Sequence, residues 1–400
     1  MKKILRNFKN IPLNNNFTIF IILLIMYYLV NLLTSSANSG MSGQLLAESN
    51  PYNRLMAGLI ITFLVCVTVG GRTYCKNFSY RDMKLFIIYA LMSFLICLLC
   101  DYRFYISQIN SSLYVVYWML TYVFCVQSLP KLERDKSDLL IRIIVIVYLA
   151  FIIYKMSVQK NILTVEGIVA GINVAGSVYM IVPLILLSFH NKWRIIVFCV
   201  CFFVCILSAK RQAALGMFII SFFSMSNLLK NFWRNFKFKG VVIVFIALFC
   251  FGSTILSSFD DLIARQERIE EVDGSIDSGR SDLRRAALIG YANANVMAQF
   301  FGGGVGTGGL YIKEYYGKFN YPHCGFIEIL CDYGIVGLMS FILFLYSLIR
   351  QSFRLKNNEY RLIGISCVVA LVFISSISHI GNMNLLYIST ALGYIFTYKH

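Results

Sequence analysis

Residues 17–33 read FTIFIILLIMYYLVNLL, seventeen positions without a charged side chain. A helix of about 17–25 apolar residues crosses the hydrocarbon core of a bilayer. The run follows Lys2, Lys3, Arg6 and Lys9 and precedes Ser35-Ser36-Ala37. Its apolar part is long for a removable signal, so it reads as the first membrane helix, with cleavage after Ala37 as the alternative. Eleven further runs follow, at 55–71, 85–100, 111–129, 139–154, 167–189, 193–207, 213–228, 240–256, 333–349, 362–379 and 383–398. All are continuous rather than alternating, which selects helices over barrel strands. Several are shorter than a full span and need flanking aromatics and lysines to match the bilayer. The expected fold is all-α: a polytopic membrane bundle of about twelve transmembrane helices, with one large extracytoplasmic loop carrying short amphipathic helices.

Composition points the same way. Hydrophobic residues make up 58% of the 400 positions and charged ones only 14%, and the mean hydropathy is +0.70. The formal net charge of +17 raises the question of nucleic acid. The cations are spread over short loops, however, and read as topology signals, so no nucleic-acid partner is expected. Most of the twelve cysteines lie inside apolar runs, where a thiol behaves as a small hydrophobe. Their spacings give no zinc pattern, and Cys324 and Cys331, both near the start of one helix, are not expected to pair.

Loop cations orient the bundle. With the N-terminus inside, the cytoplasmic loops hold Arg72, Lys76, Arg81 and Lys84, then Lys131, Arg134 and Lys136, Lys192 and Arg194, Lys230 to Lys239, and Arg350 to Arg361. The C-terminus also falls inside. Two cation groups break the rule: the pair Lys210-Arg211, and the loop 258–322. Both fall on the outer face, which makes a shared anionic ligand attractive. The expected organisation is a bundle of nine spans over 1–257, an extracytoplasmic loop over 258–324, and three closing spans over 325–400.

The loop carries acids as well, from Asp260 to Asp282. A short solvated helix is expected at 263–271. Apolar Leu283, Ala287, Leu288, Tyr291 and Val296 have helical spacing, so 281–301 reads as one amphipathic helix at the membrane surface. The glycine tract 302–309 ends it.

Arg280 and Arg284 share one helix face, with Arg285 one step round. Guanidinium forks onto phosphate oxygens, so this group could grip a diphosphate. The competing reading is ion pairing, Asp277 with Arg280 or Asp282 with Arg285. Lys210-Arg211 either clamps phosphate near the membrane plane or snorkels to headgroups. The tract around Gly304 and Gly306 lacks the lysine of a nucleotide loop. Its backbone N–H groups could approach an anion, though a hinge after the surface helix is the simpler reading. Tyr321 closes an aromatic cluster that suits either sugar faces or the interfacial belt. His323, held behind Pro322, can accept a proton from a hydroxyl near neutral pH, or make a structural hydrogen bond.

Two stretches resemble the O-antigen ligase and polysaccharide polymerase (Wzy-like) family of membrane glycosyltransferases. One is Leu207-Ser208-Ala209-Lys210-Arg211-Gln212-Ala213-Ala214, similar to that family's small-residue, Arg, small-residue turn. The other runs from Ser278-Gly279-Arg280 through Arg284 and Phe301-Gly302-Gly303-Gly304-Val305-Gly306 to His323-Cys324-Gly325. It continues through Glu328 to Asp332-Tyr333-Gly334-Ile335-Val336-Gly337. Cys324 stands where the family has asparagine, and Lys210 where serine is common. The first change removes an amide but leaves the imidazole.

The resemblance implies transfer of a glycan from a polyprenyl-diphosphate donor to an acceptor sugar, at the outer face of a bacterial plasma membrane. No nucleotide, metal or other cofactor is implied, because the lipid diphosphate is already an activated leaving group. His323 would be the general base. Arg211, Arg280 and Arg284 would hold the diphosphate, with Lys210 and Arg285 as further members of the clamp. Gly304, Gly306, Tyr321 and Glu328 would border the substrate. The expected activity is polymerisation of lipid-linked repeat units into a surface polysaccharide. The ligase reading, with a lipid A-core or other acceptor, is kept as the alternative, and a flippase ranks below both. Membrane lipid, the glycan donor and acceptor, a flippase and a chain-length regulator are the partners this implies.

Overall fold

The computed structural model describes residues 15–36, 51–70, 106–159, 177–189, 191–207, 211–224, 280–317, 319–378 and 384–398. Among them every regular element is helical. In chain order these are α1 (Asn16–Ser36), α2 (Pro51–Gly70), α3 (Ile106–Ser128), α4 (Arg134–Gln159), α5 (Val182–Ser188), α6 (Asn191–Leu207) and α7 (Arg211–Ser224). Then come α8 (Arg280–Asn293), α9 (Val296–Phe301), α10 (Thr307–Tyr316), α11 (Gly325–Phe353), α12 (Asn358–Ile377) and α13 (Leu385–Tyr398).

Four of these helices are long and apolar enough to cross a membrane: α1, α4, α11 and α12. Five shorter apolar stretches accompany them among the described residues: four within α2, α6, α7 and α13, and one, 177–188, made of α5 and the turns leading into it. The chain is thus an integral membrane protein, as its apolar runs predict, and all-helical among the described residues. Of the twelve expected spans, 85–100 and 240–256 lie outside the described residues, as do the expected helix at 263–271 and Lys210.

The bundle has a buried centre. α13 is buried along Leu385 to Phe396, and α5 along its whole length. A helix that is apolar all round belongs inside. α13 lies against α3, α5 and α12, while α1, α2 and α4 wrap the same core. Outward apolar side chains such as Ile22, Ile146, Phe218, Ile342 and Tyr346 remain exposed, as a lipid-facing surface requires.

Helices in lipid gain little from the hydrophobic effect and associate by close packing and polar contacts. Both occur here. Trp118 of α3 packs on Phe341 and Phe344 of α11, with ring centroids 6.4 and 5.7 Å away. Tyr28 of α1 hydrogen-bonds Tyr387 of α13, and Tyr394 of α13 donates to Asp138 of α4. Arg142, an isolated cation in a span, donates from Nε to the Ser188 carbonyl at 2.5 Å. Arg194 donates to the Phe189 carbonyl at 2.6 Å and pairs with Glu359 at 2.8 Å. These cations satisfy the open carbonyls at the end of α5.

The Arg194–Glu359 pair marks one end of the bundle. α12 starts there and runs 20 residues, or about 30 Å of rise, the thickness of the hydrocarbon core. At its far end the Ser378 carbonyl accepts the Gly325 N–H at 3.0 Å. The segment before α11, with His323, therefore sits at the opposite end from the Arg194–Glu359 pair.

Gly393 lets α13 lie on α3: a Cβ there would come within 2.5 Å of Cys125 Cβ. Gly393→Val should destabilise the bundle by about 1–3 kcal/mol, the usual cost of overpacking, seen as a lower Tm of the detergent-solubilised protein. Adding Cys125→Gly should recover part of the loss, and no recovery would show that the contact is not what the valine disturbs.

Candidate functional site

The expected surface helix at 281–301 is two helices. α8 ends at Asn293, and Asn295 starts α9 by accepting the Ala298 N–H on Oδ1 at 2.8 Å. Gln299 fastens the corner, its Nε2 donating to the carbonyls of Ala292 (2.9 Å) and Ala294 (3.1 Å). The Tyr291 hydroxyl donates to the Gln299 carbonyl at 2.6 Å. Burial, reinforced by nearby Cys331, raises the pKa of this phenol and keeps it a donor. An asparagine cap outcompetes helix continuation because it satisfies an otherwise open N–H.

The expected apolar face is only partly right. Ala287 is buried, with Leu283 and Tyr291 packed beside it against Ile312 of α10 and Cys331 of α11. Leu288 and Val296 are exposed. Val296, Met297, Phe300 and Phe301 all point outward from α9, a face suited to lipid.

The glycine tract is not a hinge. It docks on a break in α11, where Gly334 takes φ 66°, ψ −173°, a conformation available essentially to glycine alone. The break denies the Cys331 and Asp332 carbonyls their partners in the next turn. The N–H groups of Gly303 and Gly304 take those places, both at 3.1 Å. The approach is too close for side chains. A Cβ on Gly302 would meet the Asp332 carbonyl at 2.1 Å, and one on Gly334 would meet the Phe300 carbonyl at 2.3 Å. The buried Asp332 carboxylate then accepts the Gly308 N–H at 3.3 Å, at the start of α10. The sequence reading of 333–349 as a span missed that α11 starts at Gly325, because its first segment belongs to this joint.

His323 stands at the end of the return from α10. Its φ of 50° is the one positive value at a non-glycine among the described residues, a rare backbone that marks constraint. Pro322 and Cys324 on either side are buried and His323 is half-buried. Arg284 donates from Nη2 to the His323 carbonyl at 3.2 Å. On the other side Cys324 Sγ lies 3.7 Å from the Ser375 carbonyl of α12. Cys331 Sγ instead lies 3.7 Å from the Ala287 carbonyl of α8, so the two thiols are engaged separately.

The remaining candidates sort by position. Arg284 is half-buried, and its Nε–H is buried without an acceptor. Arg280 opens α8 on the same face and is exposed, as is Arg285. Tyr321 is half-buried, edge-on to Phe319 with centroids 5.4 Å apart. Glu328 occupies the first turn of α11, its N–H donating to the Cys324 carbonyl at 3.0 Å. Gly304 and Gly306 are buried in the joint with φ of 94° and 85°, which only glycine adopts freely. Arg211 opens α7, which packs on α12. No cluster able to hold a metal occurs among the described residues. Asp332 was overlooked. An acid at the edge of an apolar run, with no cation near it in sequence, was the available signal.

This is a membrane protein with a helical cap whose arginine and histidine meet beside the end of the bundle. Residues 195–342 match the model of a family described as O-Antigen ligase. The chain therefore carries an O-antigen ligase-like region, running from α6 through Arg211, Arg284 and His323 into α11. That family consists of membrane glycosyltransferase-like enzymes, which supports the resemblance and, generally, a ligase- or polymerase-type function. No curated protein matches the chain.

Gly334→Ala should strain the joint by about 1–3 kcal/mol. Amide exchange at Gly303 and Gly304 should then accelerate relative to that at α12. Unchanged exchange there would mean that the tract is held by something other than the break in α11.

Proposed function

We propose that the protein polymerises polyprenyl-diphosphate-linked oligosaccharide repeat units into a surface polysaccharide, at the outer face of a bacterial plasma membrane. The observation that carries this reading is the Arg284 guanidinium. One N–H holds the His323 backbone, while its buried Nε–H lacks an acceptor. An unsatisfied buried donor is costly and calls for a ligand. A phosphate oxygen is the acceptor that a guanidinium prefers.

In this mechanism the acceptor hydroxyl attacks the anomeric carbon of the donor glycan. The bond from that carbon to the diphosphate oxygen breaks, and the polyprenyl diphosphate leaves with the bonding pair. The hydroxyl proton passes to the His323 imidazole. Arg284, with Arg280 one turn away and Arg211 at the start of α7, stabilises the charge growing on the diphosphate. Lys210 and Arg285 would be further members of the same clamp. Tyr321 and Glu328 border the sugars. A flippase and a chain-length regulator are the partners this chemistry needs in the cell.

The order of the helices supports the placement of Arg211. α6 begins close to the Arg194–Glu359 end and α7 follows it, so a membrane crossing by α6 delivers Arg211 to the His323 end. The cation-rich loops at the first end make that end cytoplasmic.

The description of the matched family favours a second reading, transfer of finished glycan to a lipid A-core or other acceptor. Both reactions use the same donor and differ in acceptor. Deleting the gene separates them: a lost polymerase leaves single repeats attached, and a lost ligase leaves polymer on carrier lipid.

Purified protein given lipid-diphosphate oligosaccharide should lengthen the glycan. His323→Ala should lower the rate about 10²–10⁴-fold, the range for general base catalysis. Arg211→Ala and Arg284→Ala should each cost about 10²–10³-fold, as loss of one stabilising donor does. Full-length polymer from any variant removes that residue from the mechanism. Single cysteines at 211 and 323, in a background without native cysteines, should both react with an impermeant thiol reagent from outside. Labelling from opposite sides would sink the shared site.

A further inference from the structure

α8, α9 and α10 border an open cavity of about 470 Å³, within the roughly 300–1,000 Å³ of small-ligand pockets. It is not the His323 site. Asn293 lines it, nine residues beyond Arg284 on α8, and at 100° per residue that is the opposite side of the helix. A Cβ added at Gly308 of α10 would meet Pro322 Cγ at 3.1 Å. Leu310 and Glu314 turn away from that contact, into the cavity, and Tyr311 and Tyr315 line it as well.

The lining has a definite chemistry. Tyr311 and Tyr315 offer flat aromatic faces with a polar tip. Asn293 and Asn295 offer amides that can both donate and accept. The Asn295 carbonyl oxygen is used by its helix cap, which leaves its amide N–H₂ to donate. Glu314 adds a carboxylate, and no ion pair among the described residues engages it. Neither lysine nor arginine lines the cavity.

Each alternative ligand fails on one of these points. A phosphate or diphosphate needs cations, and here it would face Glu314. A divalent metal needs several oxygen ligands, and one acid does not supply them. An acyl chain gains nothing from two amides and a carboxylate, while the exposed Val296, Met297 and Phe300 of α9 already suit lipid. A pyranose ring fits all of them. Its C–H face lies flat on tyrosine, its hydroxyls pair with amide and carboxylate, and it carries no charge for Glu314 to repel.

We propose that this cavity is a second glycan subsite, selective for uncharged hexoses or N-acetylhexosamines against uronic or phosphorylated sugars. The proposal rests on the glycosyl-transfer reading for its substrate class. A sugar held there is remote from the reacting bond, and it belongs to the body of a chain whose end lies at His323. Binding energy from such a remote contact can orient the reacting group.

The test is a glycan array of neutral, N-acetylated and uronic acid oligosaccharides, probed with the purified full-length protein in detergent and without lipid donor. The protein should retain neutral or N-acetylated chains and pass over uronic ones. Tyr315→Ala, at a 62% exposed side chain, should weaken retention about tenfold. Glu314→Lys should admit uronic chains. His323→Ala should keep the wild-type pattern, so loss of the catalytic reading and loss of this one register separately. The proposal is overturned if no glycan is retained, if uronic chains bind as well as neutral ones, or if Tyr315→Ala binds as the parent does.

Discussion

Two carbonyls decide how the cap of short helices, α8 to α10, is attached to the bundle. The break at Gly334 leaves the Cys331 and Asp332 oxygens without partners inside their own helix. Such groups cannot stay open in a buried setting. Gly303 and Gly304 supply the missing N–H groups, and only a backbone without side chains can come that close. The glycines at 302 and 334 are therefore two halves of one fitting, each excluding a Cβ from the other. Asp332 extends the fitting by taking the Gly308 N–H. With α10 fixed at its start, the return through Pro322 has a set origin, and His323 follows from it.

The bundle solves the same problem at its other end with charge. The carbonyls that close α5 are met by Arg142 and Arg194, and Glu359 neutralises the second of these. Arg142 does this from within a span and Arg194 from the cation-bearing start of α6. This explains how a bundle with a short central helix such as α5 can keep it buried throughout. The polar contacts inside, Tyr28 with Tyr387 and Tyr394 with Asp138, tie α13 to α1 and α4 where apolar packing alone would leave the choice of neighbour open.

Much of the bundle was legible because an apolar run is a local signal. Residues 17–33, 139–154 and 362–379 announce α1, α4 and α12 directly; Arg284 stood out in a loop off the topology rule, and His323 as an imidazole held behind Pro322. What was not legible depends on partners distant in sequence. Gly334 looked like one glycine in a span, since nothing nearby in sequence shows that Gly303 would take over its carbonyls. The 302–309 tract looked like a hinge for the same reason. The split between α8 and α9 turned on whether Asn295 caps a new helix or sits inside an old one, and local spacing allowed both. The cavity beneath that corner exists only once the split is known.

Arg284 joins the two chemical tasks of the proposed site in one planar group. Its contact with the His323 carbonyl holds the backbone of the proposed base, and the Nε–H left over is buried without an acceptor. A lysine would hold the two less rigidly, because its three N–H donors rotate and have no planar fork to fix two acceptors. On this reading the distance from base to clamp is set by the geometry of one guanidinium and not by the packing of two independent loops. Proximity effects in catalysis depend on sub-ångström placement, and a covalently rigid spacer holds it better than a pair of surface helices. The unusual backbone at His323 fits the same logic. A residue with φ of 50° persists only where its surroundings over-determine it, and here Arg284 on one side and the end of α12 on the other do so.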